Sequence, residues 1–75
     1  MEFVYRHEED VKGFKIIGYV VEVESNTYIA TVKVALAEGL LCEDFIDCKS
    51  AITWTRENII KLVKQLEYNI SLLGE

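Results

Sequence analysis

The sequence predicts an α+β fold: a three- or four-stranded antiparallel meander sheet with one C-terminal helix packed on one face. Two observations carry this expectation. Residues 14–37 are dense in β-branched and tyrosine side chains and are interrupted only by Ser25-Asn26. Further on, Ile59, Val63, Leu66, Ile70 and Leu73 recur at spacings of 4, 3, 4 and 3, the signature of one apolar helix stripe. A length of 75 residues allows one domain.

The elements follow in order. Phe3 and Tyr5 alternate with Glu2, Val4 and Arg6, so residues 2–6 can add a short strand, and His7 to Asp10 reads as a charged turn. A hairpin follows, with strands over 14–24 and 27–37. A loop centred on Ser25-Asn26 pairs Val23 with Tyr28, Val21 with Ala30, Tyr19 with Val32 and Ile17 with Val34. Facing residues share a side of the sheet, so these eight form one apolar face for the helix to cover. A slip of one residue would instead bring Thr31 and Lys33 onto the side of Tyr19 and Val21. A third strand is expected over about 41–48, with Glu43, Asp44 and Asp47 as charges that protect its edge. The helix is expected over 56–73. Thr55 would be its N-cap, Trp54 and Ile59 a hydrophobic staple, and Gly74 its terminator.

In this register the second face carries Phe14, Ile16, Val20, Ile29 and Ala35. A one-sided sheet normally shows polar residues there. Large exposed apolar patches mark interfaces, so these five residues are expected to mediate a homodimer, face to face across a two-fold axis.

Composition narrows the function classes. An apolar share of 51% with 28% charged residues excludes a disordered chain. No run approaches the ~18–20 apolar residues of a membrane span. The start, MEFVYRHEED, has neither the order of a signal peptide nor the basic character of a transit peptide, so a cytoplasmic protein without a membrane role is expected. Catalytic machinery is not legible. His7 is the only histidine and has no nucleophile in its context, and no glycine-rich phosphate loop opens a helix. Cys42 and Cys48 on one strand would stand ~20 Å apart, too far for a disulfide, and read as small buried thiols. Two cysteines and a distant histidine do not make a zinc site, and the acids do not follow calcium-loop spacing, so no metal and no cofactor are expected.

The balance of 8 basic and 13 acidic residues gives −5, against the basic stripe that a phosphate-backbone binder carries. The expected function is therefore that of a small acidic, non-enzymatic regulator or inhibitor that occupies a partner protein's surface. Phage and mobile-element genomes encode many such proteins, and such an origin is expected by that association. Its partner-binding residues are expected to be Glu43, Asp44, Asp47 and Trp54, the acids because charge steers association and the tryptophan because that residue type anchors interfaces. The alternative is a nucleic-acid-binding regulator or an antitoxin-like protein.

Overall fold

The computed structural model describes residues 2–74. Four strands, β1 (Glu2–Val11), β2 (Phe14–Glu24), β3 (Thr27–Val34) and β4 (Leu40–Phe45), form one antiparallel sheet in the order β1-β2-β3-β4. A single helix, α1 (Cys48–Leu73), packs on one face. The α+β meander with a C-terminal helix is thus the observed fold.

The first strand is longer than its apolar alternation suggests. It runs through the charged residues 7–10, and the turn is Lys12-Gly13, both at positive φ (51° and 91°). Two positive φ values in a two-residue loop match the twist of the flanking strands. The Asp10 carboxylate accepts a hydrogen bond from the Gly13 N–H at 3.1 Å.

In the second hairpin the turn is as expected but the register beyond it is not. Glu24 faces Thr27 across Ser25-Asn26, with Asn26 at φ 62°. The register then shifts between Glu22 and Glu24, leaving Val23 as an extra residue. From there on Glu22 pairs with Tyr28, Val20 with Ala30, Gly18 with Val32 and Ile16 with Val34. This bulge shifts the expected pairing by one residue, so β2 turns its other side to the helix, while Tyr28, Ala30, Val32 and Val34 of β3 stay on the expected face. The face beneath α1 is that of Ile16, Gly18, Val20, Ala30 and Val32. Ile16 and Val20 are fully buried there, and therefore cannot belong to a self-association surface.

Gly18 shows why this register wins. A Cβ built on it would stand 2.5 Å from Ile59 Cδ1 and 2.7 Å from Thr55 Cγ2. Only glycine lets the helix come this close. The buried helix positions are Ala51, Thr55 and Ile59, one every four residues, and small residues lie opposite them at Gly18 and Ala30.

The helix begins eight residues earlier than expected. Asp47 is the N-cap, and its carboxylate accepts from the Ser50 N–H at 2.8 Å and the Ser50 hydroxyl at 2.7 Å. Thr55 is not a cap. It is buried in the third turn, where its hydroxyl donates to the Ala51 carbonyl at 2.8 Å. The expected staple is absent for the same reason, and Trp54, partly buried, packs against both core clusters, 5.9 Å from the Phe45 ring.

The sheet tapers. It is four strands wide where Phe45 faces Tyr28, and only β1 and β2 remain where Val11 faces Phe14. The helix starts over the wide end and runs toward the narrow one, which explains its burial. Beyond Ile59, the residues Leu62, Val63, Leu66 and Ile70 are only partly buried.

Candidate functional site

Three surfaces bring chemistry-bearing residues together: the open face of the sheet, the edge at β4, and a groove between β1 and α1. Strand pairing places Ile17, Tyr19, Val21, Ile29 and Thr31 at the centre of the open face. From β1, Phe3 lies opposite Val21 and meets Tyr19 edge to face, with ring centroids 5.3 Å apart. Phe3 is more than half exposed, while Val21 and Thr31 are buried among their neighbours although no other element of the described residues covers them.

Charge is unequally placed on this face. Toward the Ser25-Asn26 turn stand Glu24, opposite Thr27, and Asp44, opposite Ile29. Toward the other end stand Lys33 and Lys15, with Asp10 directly opposite Lys15 and Arg6 nearer the middle, opposite Tyr19. Glu8 lies among these cations, paired with Arg6 and with Lys15 at 3.4 Å. The Arg6 hydrogen bond is the main reason that the Glu8 carboxyl titrates below the usual carboxylate range.

The expected partner-binding residues do not form one surface. Glu43 and Asp44 are exposed on β4, on opposite sides of that edge strand. Asp47 is spent on the helix N-terminus, and its bonds to Ser50 hold its carboxyl low. Trp54 is half-buried in the core rather than displayed. Of the expected self-association residues, Ile29 is on the open face. Phe14 is half exposed on the helix side beyond the helix-covered core, and Ala35 follows β3, its N–H donating to the Lys15 carbonyl at 2.7 Å.

The cysteines also differ from expectation. Cys42 is exposed on the open face, with its sulfur 3.7 Å from the Thr31 hydroxyl, and Cys48 is the first helical residue. Both thiols are free. Tyr28 lies on the helix side, where burial and then Glu22 push its phenol upward.

The third surface was not legible in the sequence. A groove of about 540 Å³ runs between β1 and α1. Its β1 wall is Tyr5, His7 and Glu9; its helix wall includes Arg56, Ile59, Ile60, Val63, Lys64 and Glu67. His7 and Glu9 are engaged with each other at 2.5 Å. Finding this groove required knowing that residues 7–10 continue β1 and that β1 lies beside the helix. The charge run hid the first, and the second depends on long-range pairing.

Among the described residues no group of three or more His, Cys, Asp or Glu side chains is arranged to hold a metal ion. Nor is any described helix long and apolar enough to cross a membrane. Comparison of the chain with protein-family models, with curated proteins and with solved structures gives no match in any of the three.

Proposed function

We propose that this protein is a non-enzymatic, cytoplasmic protein-binding regulator that works as a homodimer joined through the open faces of its two sheets. The observation that carries the reading is the patch of Phe3, Tyr19, Val21 and Ile29 on a face that α1 leaves bare. A sheet ~19 Å wide and ~30 Å long, from strand spacing and rise, presents roughly 600 Å². Two such faces bury about 1,200 Å² together, the lower end of what a stable interface needs.

Charge favours one arrangement chiefly through Lys33, because Glu8 and Asp10 offset Arg6 and Lys15 on the same face. A two-fold axis in the interface and perpendicular to the strands sets the Glu24 and Asp44 end of one face over the Lys15 and Lys33 end of the other. An axis along the strands sets like over like. The first arrangement is the one this chain supports. It leaves the β1–α1 groove and the outer side of β4 free for the regulated partner.

Sedimentation at micromolar concentration tests the dimer. The parent should run at twice the 8.6 kDa chain mass. Tyr19→Ser with Ile29→Lys should run as a folded monomer. Asp44→Lys alone should weaken the dimer at low salt, and adding Lys33→Glu should restore it. A parent that stays monomeric at 100-fold higher concentration overturns the homodimer.

A further inference from the structure

We infer that the β1–α1 groove is a strand-addition site for an extended peptide with an acid-x-apolar-x-acid pattern. The inference rests on the chain being a protein-binding module, but not on its dimerisation. The first observation is the edge. β1 pairs with β2 alone, so its other side offers unpaired backbone groups, and a peptide can extend the sheet there. The register irregularity between Phe3 and Tyr5 confines this pairing to the stretch from Tyr5 to Val11.

The second observation is the spacing of the opposite wall. Arg56, Ile60 and Lys64 are four residues apart and all three line the groove. Four helical residues advance ~6 Å. Two strand residues advance ~6.7 Å, so successive groove-facing side chains of an added strand keep step with this row. The accumulated mismatch from Arg56 to Lys64 is ~1.4 Å, within the reach of two long, flexible side chains.

The third is charge complementarity. Neither Arg56 nor Lys64 lies in an ion pair among the described residues, while Glu9 on the facing wall is already engaged by His7. Between the two cations Ile60 is 54% exposed, over the floor made by Ile59 and Val63. Acids at peptide positions i and i+4 would meet Arg56 and Lys64, and an apolar side chain at i+2 would lie on Ile60. Glu67, three residues beyond Lys64 on the same wall, disfavours a further acid past the one at Lys64.

The test is a titration of the isotope-labelled protein, followed by amide NMR, with capped nine-residue peptides. One carries glutamate at positions 3 and 7, isoleucine at 5 and threonine elsewhere. The control replaces both glutamates with lysine. Expected are shifts at Tyr5, His7, Glu9 and Ile60 and at least tenfold tighter binding of the glutamate peptide at low salt. Arg56→Glu with Lys64→Glu should reverse that preference. Ile60→Ser should weaken both peptides on a fold whose spectrum is otherwise retained. Equal binding of the two peptides, or no shifts on β1 at millimolar peptide, overturns the site. Running the titration on Tyr19→Ser with Ile29→Lys as well separates the two proposals, because strand addition is expected to be unchanged in a monomer.

Discussion

The centres of the two faces of this sheet come from the same two strands, β2 and β3, and both sides of β2 are apolar, yet only one face is covered. Ile16, Val20, Ala30 and Val32 are sealed beneath the helix, while Ile17, Tyr19 and Ile29 on the other side stay partly exposed. On β3 hydrophobicity separates them, since Thr27, Thr31 and Lys33 face away from the helix, but on β2 it does not, because Ile17, Tyr19 and Val21 are larger than Ile16, Gly18 and Val20. There size does. The helix lies on the face that offers Gly18 and Ala30, where its own Ala51 and Thr55 can approach the backbone closely. Close packing of small residues thus decides which side of β2 becomes core, and the bulkier side is left uncovered by any element of the described residues.

The largest expected effect compares one substitution on each face. Val32→Asp puts an unpaired charge where the residue is 1% exposed. Burying a charge there costs several kcal/mol, about the whole stability of a small domain, and the cooperative unfolding transition should vanish. Ile29→Asp on the open face keeps access to water and should retain the transition while abolishing self-association. Thermal unfolding by circular dichroism, beside sedimentation, reads both. A cooperative transition in Val32→Asp would falsify the assignment of the two faces.

A smaller effect tests the reason for the choice. Gly18→Ala places a methyl group against Ile59 Cδ1, which can swing away, and against Thr55 Cγ2, whose branched side chain is stiff in a helix. Overpacking of this kind costs about 1–3 kcal/mol. Gly39→Ala is the control, since a Cβ there meets nothing within 4 Å. Urea denaturation should rank Gly18→Ala clearly below both the parent and the control. Equal midpoints would mean that close approach does not select the covered face.

This comparison also shows what was readable in the residues. The limits of β2 and the Ser25-Asn26 turn follow from local pattern and are found, and the apolar stripe of α1 is found from Ile59 to Ile70, while Leu73 is exposed. The register was not readable from hydrophobicity, because both parities of β2 are apolar and the bulge at Val23 is a single extra residue. Gly18 was the available signal, as a strand-interior glycine marks a close approach. The helix start was missed because Thr55 and Asp47 are both good capping residue types, and packing rather than propensity chose between them. Of the candidate surfaces, exposure of Glu43 and Asp44 was legible, whereas the open face needed the true register and the groove needed the placement of β1 beside α1.

The smallest effect concerns the residue that sets where the helix begins over the covered face. Only Ile46 separates β4 from Asp47, whose carboxylate takes the Ser50 N–H and hydroxyl and so fixes the first turn above Val20 and Ala30. Those bonds favour the ionised form, which is why the carboxyl titrates below its usual value. A lowered pKa in the folded chain means stability that is fully present above the unfolded carboxylate value and is lost as the pH falls through the lower, folded one. Asp47→Asn keeps a good neutral cap but removes the charge, so it should lower the melting temperature slightly at neutral pH. Its deficit should shrink as the medium is acidified, until the parent's carboxyl is protonated and the two proteins melt together. Asp47→Ala should be worse than Asp47→Asn at neutral pH and should remain below the parent in acid, since it lacks an acceptor at any pH. A deficit for Asp47→Asn that is constant from neutral to strongly acidic pH would show that the charge at this cap contributes nothing to seating the helix.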